Sequence, residues 1–125
     1  MSEFNIVHIQ EINMIIYRDG FPIPPKFDAI TIGTYIFARP SVRLQKGIIE
    51  HEKVHVRQFK KEPIIFWFKY LFSKKYRFEY ESEAYATSIR NGMEIEVAVN
   101  ILRTKYKLNV TREHCLDTIL KYLNR

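Results

Sequence analysis

The sequence predicts an α+β domain, a small antiparallel sheet followed by a motif helix and several packed helices. Three observations carry that reading. Residues 4–39 are rich in β-branched and aromatic side chains, broken by glycine and proline, whereas from Pro40 onward apolar residues recur at helical spacing. The strand-like half precedes the helical half instead of alternating with it, which is the order of an α+β chain. A length of 125 residues, 46% of them hydrophobic, suits one domain over 1–125 with enough apolar surface to fold.

Each element has its own signal. "NMIIY" within residues 4–17 reads as a strand. "RDGFPIPP" then combines Asp19-Gly20 with three prolines, a turn and an extended loop. "AITIGTYIFAR", residues 29–39, reads as one strand or as a hairpin broken at Gly33. After Pro40-Ser41 the period changes. Arg43, Lys46, Glu50, Lys53, Arg57 and Lys60 form one solvated stripe, and Ile48, His51, Glu52, His55 and Phe59 lie on the other side. Pro63 stops this helix and can open the next. Further helices are expected from Tyr76 to Arg90, closed by Asn91-Gly92, then near 93–106, and at 111–123 with Thr111 as N-cap.

Composition narrows the function classes. A single cysteine, Cys115, excludes a disulfide framework and a Cys-rich zinc finger. The opening "MSEFNIVHIQEINM" has early acidic residues and no apolar segment, so no signal peptide is read there and a cytoplasmic protein is expected. The net charge is +6, and the positive charges are spread from Arg18 to Arg125 and not packed in one tail, so nucleic-acid binding is disfavoured. The run "PIIFWFKYLF", 63–72, is too short to span a bilayer. It reads as core in preference to membrane-surface contact through Ile64–Phe72.

The stretch with chemistry in it is "HEKVH", His51 to His55. Histidines four apart on a helix point the same way, so two imidazoles can share one tetrahedral zinc. Glu52 sits at the edge of that face, within reach of a zinc-held water. Both imidazoles and the carboxylate face inward, where unpartnered they would cost free energy. A third ligand is required. The metzincin continuation needs Gly at 58 and His at 61, but Gln58 and Lys61 stand there. His8 and His114 have no supporting context. "RFEYESEAYATSIRNG" offers Glu79, Glu81 and Glu83. Glu81 shares a helix face with Phe78, Ala84, Tyr85 and Ser88, a face able to pack on the motif helix, whereas Glu79 and Glu83 lie with Thr87 and Arg90. Glu81 is the expected third ligand, with Glu83 as the alternative.

"HEKVHVRQ" followed by "YESEAYA" resembles the gluzincin group of zinc metallopeptidases, over roughly residues 29–92. It is similar to small bacterial and phage-type metallopeptidases, and to ImmA/IrrE-type and CAAX-processing-like metallopeptidases in its second motif. The resemblance implies a minimal zincin-like domain. It also implies zinc held by His51, His55 and Glu81, Glu52 as the catalytic base, and hydrolysis of a protein or peptide substrate. It further implies an edge strand above the metal where an extended substrate adds. Ile32, Gly33 and Thr34 are the candidates for that contact. In many gluzincins an aspartate four residues after the ligand glutamate supports a zinc-bound histidine; here Tyr85 stands in that position. Candidates for steadying an oxyanion or supporting a ligand are Tyr85, Tyr80, Arg90 and His114. A second reading keeps the zinc without turnover: a non-catalytic zinc-containing module that docks an acidic protein or nucleic-acid partner.

Overall fold

The computed structural model describes residues 5–9 and 12–125, with side-chain environments from Ile15 onward. His8 lies outside the described side chains. Four strands form one sheet: β1 (Asn5–Ile9), β2 (Ile12–Tyr17), β3 (Ala29–Ile32) and β4 (Tyr35–Ala38). Five helices follow: α1 (Lys46–Lys61), α2 (Pro63–Phe72), α3 (Lys74–Arg90), α4 (Ile95–Lys105) and α5 (Arg112–Leu123). The α+β order is as the sequence implied, strands first and helices after.

The sheet is mixed, not wholly antiparallel. Its order is β1-β2-β4-β3, with β2 parallel to β4 and the other two pairs antiparallel. The reason lies in the 18–28 loop, which carries the chain past β2 so that the hairpin returns with its second strand inward. Arg39 pins this loop, donating from Nε to the Phe27 carbonyl and from Nη2 to that of Pro24. The hairpin breaks at Gly33-Thr34, where Gly33 has φ +63, the left-handed value that a two-residue turn demands. β3 is thereby left on the edge of the sheet.

Strand alternation aims one face of the sheet at α1. Ile15 and Tyr17, Ile36 and Ala38, and Ala29 pack with Val42, Ile49 and Val56 into one apolar cluster. Thr31 lies two residues from Ala29, so its hydroxyl also points to α1. A second cluster joins α3, α4 and α5 through Phe78, Tyr85, Ala98, Leu102, Leu108, Cys115 and Ile119. Cys115 is fully enclosed there, and burial pushes its thiol up to about 11.

Helix boundaries follow local chemistry. Pro40–Val42 forms a single 3-10 turn, and the motif helix starts at Lys46. Pro63 occupies the first turn of α2, where its missing N–H costs nothing. Ser73 caps α3 by accepting from the Tyr76 amide, so this helix begins at Lys74, ahead of the expected Tyr76. Thr111 caps α5 through the His114 amide, as its position suggested.

The 63–72 segment corrects the expectation of a core helix. Of α2 only Phe66 is buried, while Ile64, Ile65, Phe68, Leu71 and Phe72 are exposed. Its contacts run along one side, through Phe66 on Phe59 and Tyr80 and through Tyr70 on Glu81. No helix among the described residues is long and apolar enough to cross a membrane.

Ile36 sits at 0% exposure between the sheet and α1, whereas Ile32 at the hairpin end is 41% exposed. Ile36→Ala is expected to lower unfolding stability by about 2–5 kcal/mol and Ile32→Ala by less than about 1 kcal/mol, read from urea midpoints.

Candidate metal centre

Two helices bring the site together. On α1, His51 and His55 project one turn apart toward α3, and their rings meet edge to face at 5.0 Å. On α3, Glu81 faces them from a position only 2% exposed. Its Oε1 lies 3.1 Å from Nε2 of His55 and 3.4 Å from Nε2 of His51. One ligand atom from each of the three residues falls within 4.8 Å of the others.

The far side of each imidazole is anchored. Nδ1 of His51 lies 3.0 Å from the Ser88 hydroxyl. Nδ1 of His55 lies 2.9 Å from Oε1 of Gln58. The Gln58 amide nitrogen donates to the Tyr80 carbonyl and to Glu83, both at 2.9 Å, so its oxygen is the atom facing His55. That oxygen only accepts, which places a hydrogen on Nδ1 of His55 and leaves Nε2 as a lone pair in the neutral ring. Nε2 and the Glu81 oxygen are then two acceptors face to face. A positive centre is required between them, either a second ring proton or a metal ion.

The electrostatics describe the proton-filled form. Burial alone would push His55 down, but the Glu81 charge and its hydrogen bond outweigh burial and raise it to about 9. Burial would likewise raise Glu81, but His55 and the hydrogen bonds from both imidazoles hold it well below the usual carboxylate range. A buried trio of two imidazoles and one carboxylate, with lone pairs converging and outer nitrogens anchored, fits a divalent metal ion. His51, His55 and Glu81 can hold one.

Around the trio lies a cavity of about 260 Å³. Glu52 lines it, 8% exposed, and its Oε1 accepts a 2.6 Å hydrogen bond from the Thr31 hydroxyl on β3. The Tyr70 hydroxyl donates to Glu81 Oε2 at 2.5 Å, occupying the oxygen that does not face the histidines. Tyr85 lies edge-on to His51 at 4.3 Å, and its hydroxyl pairs with that of Tyr106 at 2.9 Å. Burial, reinforced by the Glu81 charge, pushes Tyr70, Tyr85 and Tyr106 up, so all three keep their protons at neutral pH. The remaining wall is mostly apolar, with Phe27, Ile48, Trp67, Met93 and Ile101, and Lys26, Asp28 and Lys105 also line it.

His51, Glu52, His55, Glu81 and Tyr85 thus meet in one place, and other candidates lie elsewhere. Tyr80 packs its ring on Phe66, and only its carbonyl touches the Gln58 anchor. Arg90 donates to the Tyr122 carbonyl, and His114 stacks on Phe78. Glu79 accepts from Tyr122 and Lys121. Gly33-Thr34 is the hairpin turn beside Phe59, and the strand residues that line the cavity are Ala29, Ile30 and Thr31, just before Ile32. Tyr85 carries its hydroxyl to Tyr106, leaving Ser88 to hold His51.

Thr31, Tyr70 and Tyr106 escaped the sequence reading as site residues. Tyr70 hides in a run that reads as uniformly apolar, and its phenol is the one signal there. Gln58 was detectable as the residue three after His55, the spacing that stacks two side chains on a helix.

For the metal-free chain, His55 contributes stability in full below 6.5, its unfolded value, and loses that contribution as pH rises through about 9. Glu81 acts in the opposite sense, contributing above 4.5 and losing it as pH falls toward its depressed value. Urea midpoints in chelator are therefore expected to fall across the 6.5 to 9 window, and Glu81→Gln is expected to flatten that fall. Tyr70→Phe frees Glu81 Oε2 and is expected to weaken metal affinity about 10–100-fold in chelator competition.

Comparison of the chain with protein-family models, with curated proteins and with solved structures gives no match.

Proposed function

We propose that this chain is a zinc metallopeptidase that hydrolyses peptide bonds in a protein or peptide substrate. The observation that supports it is the buried His51-His55-Glu81 trio with the Glu52 carboxylate lining the same cavity. The donor set of two imidazoles and one carboxylate suits zinc. Ligand atoms about 2.0–2.1 Å from a tetrahedral ion stand about 3.3 Å apart, close to the 3.1 and 3.4 Å between Glu81 and the two histidines. Zinc bound there would polarise a scissile carbonyl and lower the pKa of a water toward about 7.

The chain's own groups supply the rest. Glu52 takes a proton from water and hands it to the leaving amine, and Thr31 holds its Oε1 in place for both transfers. The Tyr85–Tyr106 pair shares one of its two hydroxyl protons internally and keeps the other to donate to a developing oxyanion. β3 is a sheet edge along the cavity, so an extended peptide can add to it as another strand. The mostly apolar wall strengthens the fields of the reacting groups.

One observation favours a second reading, a zinc-containing module without turnover. Tyr85 stands where many gluzincins carry an aspartate that supports a zinc-bound histidine, and its hydroxyl pairs with that of Tyr106 instead.

Purified protein is expected to carry about one zinc per chain by metal analysis. Glu52→Gln is expected to retain that zinc while hydrolysis of a peptide library falls about 10²–10⁴-fold. Absence of zinc after zinc-supplemented expression counts against both readings. Zinc with no turnover by the wild-type chain favours the binding module.

A further inference from the structure

The helix α2 faces two surroundings. Phe66, Trp67 and Tyr70 turn inward and line the cavity. Ile64, Ile65, Phe68, Leu71 and Phe72 fall at helical steps within an arc of about 120° on the opposite side. They are 73, 51, 63, 55 and 78% exposed. Scattered apolar side chains on a surface are ordinary, whereas five large ones on one helix face are the kind of patch that marks an interaction surface.

The sequence around this helix is one-sided in charge. Residues 57–77 contain seven lysines and arginines against one acid, Glu62, a net charge of +6. The rest of the chain holds thirteen basic and thirteen acidic residues, so the excess of the whole protein falls in this segment. Glu62 is engaged by Lys69. Lys61, just before the helix, and Lys74 and Lys75, just after it, are all exposed.

We propose that α2 docks the protein on an anionic lipid bilayer, lying flat with these five side chains in the headgroup region. Ten residues make a helix of about 15 Å, too short to cross about 30 Å of hydrocarbon but suited to the interface. An apolar face flanked by lysines is the composition that such surfaces take up. A second copy of the chain fits poorly, because face-to-face pairing would bring two sets of lysines together. Docking would set the cavity about one helix diameter, about 10 Å, from the lipid.

The test is co-sedimentation of the full chain with phosphatidylcholine vesicles containing about 30% phosphatidylserine, against pure phosphatidylcholine. Binding is expected to be at least about tenfold stronger to the anionic vesicles and to weaken between about 0.05 and 0.5 M salt. Phe68→Asp with Leu71→Asp, and separately Lys61, Lys74 and Lys75→Glu, are each expected to lower binding at least about tenfold. Both positions of the first pair are exposed, so the thermal midpoint is expected to stay unchanged. Absence of binding to anionic vesicles, or equal binding by the aspartate variant, overturns the proposal. So does a dimer in sedimentation equilibrium that Phe68→Asp dissociates while vesicles bind nothing. The measurement needs neither metal nor turnover, and stands or falls apart from the peptidase reading.

Discussion

A single buried carboxylate organises this protein. Glu81 is almost wholly withdrawn from water, and an ionised group in that position must be met by donors or positive charge on every side. Two helices provide them, and a third carries the acid. α1 contributes two imidazoles, α2 a phenol, and α3 carries the carboxylate itself. None of these contacts survives if one helix slides against another by a turn, so the polar trio fixes a register that apolar packing alone leaves looser. The outer anchors Ser88 and Gln58 extend that constraint, since they hold the imidazoles in the one orientation that points both Nε2 atoms at Glu81.

The cavity is built in two parts that depend on each other. Its polar centre comes from α1, α3 and the hydroxyls of Thr31 and Tyr70; most of its apolar wall comes from α2, α4 and the loop around Phe27, which also bring Lys105, Lys26 and Asp28. Charges beside an apolar wall interact more strongly than charges in water, and dipoles held in place there need no rearrangement when charge moves. Thr31 couples the two halves of the fold, because a strand residue orients a carboxylate on the motif helix. Whatever adds to the edge of β3 therefore adjoins the strand that sets Glu52.

The sequence was most informative where side-chain period meets a chemical requirement. Spacing of four aligned His51 with His55, and the face shared with Ala84 and Ser88 separated Glu81 from Glu79 and Glu83. Pro63 and Thr111 marked helix starts because each satisfies an end of a helix in only one way. Contacts between distant elements were not legible. Nothing local says that β4 inserts between β2 and β3, since that depends on where an irregular loop delivers the hairpin. Nothing local says that the Tyr85 hydroxyl goes to Tyr106, twenty-one residues on. The 63–72 run misled most, because its composition carries no sign of how many neighbours it meets.

That same helix has no latitude in its own rotation. Its ten residues carry Phe66, Trp67 and Tyr70 on one side and five exposed apolar side chains on the other. Each residue turns the helix by about 100°. Inserting one residue after Phe66 would swing Tyr70 away from Glu81 and bring Lys69 round toward its place. The buried carboxylate would lose its hydroxyl donor, and the outer face would be scrambled by the same step. α2 can therefore diverge by substitution on its outer side far more readily than by any change in length.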